Sequence, residues 1–230
     1  MTASNESILI LGIGNLLWAD EGFGVRCVEA LNATWALPER VTVMDGGTQG
    51  LYLLPYVTAA RHLLVFDAVD YGLPPGTVRR VEGDEVPQFL GAKKMSLHQT
   101  GFQEVLASAR MLDRFPESLL LIGVQPVELD DFGGSLRPAV AAQVPVAVGI
   151  ALDWLAARGV RPVARSAGAA PAGDPALALD AYEQGRPSAG AACRTGDTHA
   201  RAKAVGYLAP VIALALTWKS AKVPPTRSLC

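Results

Sequence analysis

Histidine and cysteine are scarce in this chain, with three of each among 230 residues. Cys27, Cys193 and Cys230 lie far apart and form no CxxC pair. An odd, scattered set argues against a disulfide framework and for a reducing, cytoplasmic setting. Charge of one sign is also missing: 20 Lys and Arg face 22 Asp and Glu, a net −2. That balance gives no electrostatic case for nucleic acid or for an anionic membrane as partner. The longest late apolar stretch, residues 205–218, contains Pro210 and is short for a bilayer span. The opening MTASNES lacks a basic leader segment, so no secretory signal is expected. HExxH is absent, which disfavours a self-contained zinc peptidase. GxSxG is absent too, and Cys27 lies inside an apolar helical pattern, so a Ser or Cys nucleophile has little support.

What is present is hydrophobic. Half of the residues are apolar, enough for one well-filled core. ILILGI (8–13), VTVMD (41–45), HLLVFDAV (62–69) and SLLLIGVQP (118–126) read as strands, the continuous apolar ones buried on both faces. Helical spacing occupies 23–35, 50–60, 97–112 and 138–159, with Pro38 and Gly159 as stops and Pro55 as a disturbance. Residues 76–86 alternate like an exposed edge strand, and Gly46–Gly47 are expected to end the second strand. Strands alternating with helices predict a three-layer α/β fold: a twisted, mainly parallel sheet flanked by helices over residues 1–162. From 163 to 230 the chain turns rich in Ala, Gly and Pro and reads as a poorly ordered tail.

Gly12-Ile13-Gly14 after the first strand, with Asp45 ending the second, resembles a dinucleotide fingerprint. Position 17 is Leu rather than the third glycine, and Asp20 and Glu21 stand where a pyrophosphate needs a positive helix start. A nucleotide-binding α/β protein is therefore an alternative that the acidic loop disfavours.

Glu21, Asp67 and His98 form the sharper pattern. Each follows an apolar run or heads a helical one, and the carboxyl ends of parallel strands share one edge, where sites gather. An acid beside a helix start is ordinary, as is a lone histidine there. Asp67 is not ordinary: a carboxylate ending a doubly buried strand is costly unless something meets it. Two carboxylates and one imidazole suit a divalent first-row metal and leave positions open on it. Asp45-Gly46-Gly47-Thr48 reads either as a tight turn or as a substrate-contacting loop on the same edge.

Taken together, GIGNLLWADEGFGVRCVEAL, VMDGGTQG, LLVFDAVD, SLHQTGFQEVL and LIGVQP resemble the nickel–iron hydrogenase maturation endopeptidases, in order and spacing, over roughly residues 8–160. YEQGRPSAGAACRTGD resembles the C-terminal extension of the uptake-type members. The resemblance implies an endopeptidase that removes a C-terminal peptide from the nickel-loaded precursor of a hydrogenase large subunit. It places Glu21, Asp67 and His98 on the metal-contacting, catalytic positions and Asp45, Gly46, Gly47 and Thr48 on the substrate-recognition loop. The nickel is expected to arrive with the substrate. A nickel-sensing chaperone that binds the large subunit without cutting it is the second reading.

Overall fold

Four of the apolar runs become parallel strands, and three of them, residues 8–13, 62–68 and 118–124, are shielded from both sides. The computed structural model describes residues 6–90 and 97–165 together with Leu179 and Gln184, the side chains of 88–90 and 97–100 excepted. β1 (Ile8–Ile13) and β4 (His62–Ala68) lie at the centre, β3 (Val41–Gly47) pairs on one side and β6 (Ser118–Val124) on the other. The strand order is β3-β1-β4-β6-β5, with β5 (Val78–Glu82) antiparallel at the margin. Its alternating, largely exposed residues fit an edge strand, as the sequence predicts.

Helices cover both faces. α1 (Phe23–Thr34) and α6 (Val144–Ala156) pack with Ile8, Ile10, Leu64, Phe66, Leu120 and Ile122. α2 (Leu54–Ala59) and α4 (Leu97–Met111) cover the other face, where Leu9, Leu11, Leu63, Val65, Leu119 and Leu121 point. A short α3 (Glu85–Leu90) follows β5.

Several boundaries differ from the sequence reading. α1 ends at Thr34, because Trp35–Ala36 form a two-residue strand, β2. β3 runs through Gly46 to Gly47, with a register shift opposite Gly12 and Ile13 instead of a stop. Pro55 opens α2 rather than disturbing it, after a tighter turn over Gly50–Leu53. The last helix is two pieces, α5 (Pro138–Ala141) and α6, and Pro145 stands in the first turn of the second, where no intrahelical N–H is needed. Residues 138–156 are long and apolar enough for a membrane span by composition, but Val140, Ala147, Ala151 and Leu155 are spent in the core.

β2 pairs antiparallel with β7 (Val163–Ala164). The Arg165 N–H donates to the Thr34 carbonyl at 2.8 Å, and its guanidinium donates to the Trp35 carbonyl at 3.1 Å. Ordered pairing thus reaches Arg165, into residues that the composition assigns to the tail; the tail beyond lies outside the described residues.

At the amino ends of the strands, Arg158 donates to the Ser118 hydroxyl oxygen at 3.2 Å and stacks 3.6 Å from the Trp154 ring centre. That hydroxyl lies 2.8 Å from Nδ1 of His62. Burial lowers the His62 pKa from its usual 6.5, and the charges of Arg158 and Arg61 lower it further. The unfolded chain therefore binds a proton more readily than the folded one, and stability is lost as pH falls from about 6.5 through the folded value. Urea unfolding midpoints between about pH 7.5 and 5 should decline for the wild type and decline less for His62→Gln; equal slopes would dismiss this contribution.

Candidate functional site

Glu21, Asp45 and Asp67 lie toward the carboxyl edge of the parallel strands. Asp67 is the penultimate residue of β4 and only 1% exposed. Leu63 and Val65 face the α2–α4 layer, so alternation along the strand aims Asp67 into the same layer. Asp45, near the end of β3, pairs with Gly12, which in turn pairs with Phe66. At about 4.8 Å per strand, Asp45 and Asp67 stand roughly 10 Å apart along this edge.

Glu21 follows β1, the strand that lies between β3 and β4. A single tight turn, Ala19–Gly22, joins β1 to α1 and packs against β4, the strand that carries Asp67. The turn is reached through Gly14 at φ +137°, where a side chain would also strike the Glu21 carbonyl oxygen. That carbonyl accepts the Asn15 N–H at 3.2 Å. Gly24 lets the first turn of α1 touch the Ile13 and Phe66 carbonyls directly. The glycines that suggest a nucleotide fingerprint are thus used to draw the Glu21 turn and α1 onto the sheet.

Asp20 divides the labour with its neighbour. It is fully buried, and its carboxylate accepts the N–H groups of Val127 (2.8 Å), Glu128 (2.9 Å) and Arg137 (2.7 Å). Its own N–H donates to the Glu128 carbonyl at 3.0 Å. Gly133 donates to the Leu17 carbonyl at 2.7 Å, and Trp18 meets Phe132 edge-on at 5.2 Å. Arg137 and Asp131 pair at 2.6 Å inside the same loop. The segment after β6 is thereby welded to the turn that carries Glu21. Sequence reasoning counts Asp20 only as acidity near a helix; its role needs partners more than a hundred residues away.

Gln125, in the LIGVQP block, does the same for the segment after β4. Its amide oxygen accepts the N–H groups of Tyr71 (2.7 Å) and Leu73 (3.1 Å), and its amide nitrogen donates to Asp70 at 3.0 Å. On the far flank, Gly50 and Gly101 lie close enough that a Cβ on Gly101 would stand 3.3 Å from the Gly50 Cα. This contact sets the loop after Asp45 against the first turns of α4. His98 is in the first turn of α4; the position of its imidazole lies outside the described residues. Among those residues no three His, Cys, Asp or Glu side chains gather as a metal cluster.

The Asp45 side chain is exposed but lies along the Gly46–Gly47 backbone, and partial desolvation raises its pKa against the Gly47 N–H and the Arg26 charge. Cys27 is fully buried and burial keeps its thiol protonated, which removes it as a nucleophile. Around the carboxylates the rim exposes Leu17, Val127 and Phe132 on one side and Leu51, Tyr52 and Tyr56 on the other. Two clefts, of about 390 Å³ beside Arg61 and about 340 Å³ beside Arg110, include none of these residues. The edge thus offers partly shielded carboxylates inside an apolar rim, a surface suited to a chain segment more than to an enclosed small molecule.

The family model described as Hydrogenase maturation protease (HycI) matches residues 25–154. The Hydrogenase expression/formation protein HupD of Thiocapsa roseopersicina is 62% identical over 199 residues, 84% of this chain and 89% of that one. The Hydrogenase 2 maturation protease of Escherichia coli K12 is 41% identical over 161 residues, 70% of this chain and 97% of its own length. The solved structure of the hydrogenase maturating endopeptidase HybD from E. coli superposes with a TM-score of 0.66 at 39% identity, covering 69% of this chain and 98% of that one.

Proposed function

The chain belongs to the hydrogenase maturation protease family, and we propose that it removes a C-terminal peptide from the nickel-loaded precursor of a nickel–iron hydrogenase large subunit. It is a peptidase by that membership. What supports the finer reading is that the turn carrying Glu21 packs against β4, the strand whose penultimate residue is Asp67. Two carboxylates so placed, with His98 at the head of α4, are hard donors that suit a divalent first-row ion with sites left for other ligands. One nitrogen and no thiolate make a modest trap, so the ion is substrate cargo: the precursor brings it and the site reads whether it is there. Bound in that way it would polarise the scissile carbonyl or an attacking water.

What the chain's own residues contribute is placement. Asp20 fixes the turn of Glu21, Gln125 fixes the segment after Asp67, and Asp45 with Gly46, Gly47 and Thr48 lines the edge where a precursor segment arrives. The apolar rim supports a protein substrate. A cytoplasmic setting fits the free, buried Cys27.

The test is mass spectrometry of the precursor after incubation with this protein, with and without nickel. A product shortened only from the nickel-loaded precursor is expected. An unchanged mass in both cases would favour the chaperone reading. Equal cleavage of the nickel-free precursor would remove the role of the ion as a sign of loading.

A further inference from the structure

The two margins of the sheet are built differently. At one margin β5 carries Arg79, Arg80 and Glu82, exposed charges of the kind that discourage a further strand from pairing. At the other, β3 runs Val41-Thr42-Val43-Met44 and shows no charge before Asp45. The Ile8 N–H donates to the Arg40 carbonyl at 2.9 Å, which sets the phase of the β1–β3 ladder. In a parallel ladder every second residue bonds to the neighbouring strand, so Thr42 and Met44 turn their main-chain groups toward β1. Val41, Val43 and Asp45 turn theirs outward. The Val41 N–H is taken by the Pro38 carbonyl at 2.9 Å, and the Asp45 carbonyl accepts from the Gln49 side-chain amide at 3.4 Å. That leaves the Val41 carbonyl, both groups of Val43 and the Asp45 N–H. Among the described residues no strand pairs with β3 on that side.

We infer that this open edge takes the C-terminal extension of the precursor as an added strand, held by main-chain hydrogen bonds to Val41, Val43 and Asp45; this rests on the reading of Asp45 and Asp67 as the working edge of the peptidase. β3 leads into Asp45-Gly46-Gly47-Thr48, so a segment laid along its open side arrives at that loop. With strands about 4.8 Å apart, the added strand stands third from β4, roughly 15 Å from Asp67. About four or five extended residues, at roughly 3.3 Å each, cross that distance. A segment a few residues from the scissile bond can thus lie on β3 while the bond itself meets Glu21 and Asp67. The extension, rather than the folded body of the subunit, is the part of the precursor free to lie extended. Pairing through the main chain supplies affinity without asking for particular side chains.

Val43→Pro removes the outward N–H and keeps every bond to β1, which an edge position tolerates. Val43→Ala trims the same side chain and keeps the N–H, so it is the reference. With nickel-loaded precursor, KM of Val43→Pro should stand about tenfold above that of Val43→Ala at equal kcat, because a carbonyl of the bound strand loses its donor. Amide hydrogen exchange read by NMR does not depend on how the proline variant folds. When precursor is added to Asp67→Asn protein, which is expected to bind and not cut, exchange at Val43 and Asp45 should slow at least about tenfold, with β5 unaffected. Unchanged exchange along β3, or equal KM for the two Val43 variants, overturns the pairing, and an inactive Asp67→Asn then leaves the peptidase site standing. Normal cleavage by Asp67→Asn removes the site and the inference together. Protection of β3 in the protein alone, with a dimer in analytical ultracentrifugation, would give the edge to a second copy and overturn the inference as well.

Discussion

Glu21→Gln and Asp67→Asn are each expected to reduce cleavage of nickel-loaded precursor by at least about 100-fold, with folded yield and secondary structure retained. Losing a partner outside the coordination shell of a metal site already costs about 10–100-fold, so losing a donor itself should cost more. Amide replacements keep the shape of the side chains, which matters because Asp67 is 1% exposed and an alanine there would leave a hole in a packed layer. Glu21 is only partly buried, and its turn is held by main-chain bonds from Asn15 and to Trp18. Folded Asp67→Asn and Glu21→Gln proteins that both process the precursor at the wild-type rate would falsify the site.

Asp20→Ala should act on the other side of the ledger and destabilise the protein. Three N–H groups, on Val127, Glu128 and Arg137, would lose their acceptor while the carboxylate's space stays closed to bulk water. Stranding buried donors costs about 1–3 kcal/mol each, with incomplete additivity, so a loss of about 3 kcal/mol or more is expected. For a chain of this length that corresponds to a Tm lowered by roughly 6–12 °C. Asp20→Asn keeps one acceptor oxygen and should fall between Ala and wild type. Thermal melts followed by circular dichroism would decide it, and an unchanged Tm for the Ala variant would mean that the clasp between the two loops contributes nothing net.

These two adjacent acids show where a sequence is legible. The three strands buried on both faces, the edge strand and the layer order follow from apolar runs and their spacing, because burial on both faces leaves a continuous hydrophobic signature. Asp67 is visible for the same reason, as a charge ending such a run. Asp20 is not, because nothing local distinguishes it from Glu21; the partners of its carboxylate arrive from a segment after β6. Gln125 is hidden in a similar way. Its amide meets the N–H groups of Tyr71 and Leu73 only once β4 and β6 are paired in register, and register is a property of the paired strands rather than of either alone. The β2–β7 pair is two residues long on each side, too short to leave a period. The break between α5 and α6 escapes because Pro145 is compatible with a helix start as well as with an interruption.

The β2–β7 clasp also fixes where Arg165 sits relative to the strands. α1 starts at the acidic edge and runs back along the sheet, so Thr34, Trp35 and their partner Arg165 lie at the amino ends of the strands. A seven-residue strand such as β4, at about 3.3 Å per residue, separates that end from the other by roughly 20 Å. A chain shortened to Arg165 and joined there to a bead or a sensor surface would be tethered by its back. The edge that carries Glu21, Asp45 and Asp67 would then face away from the support, toward an arriving partner.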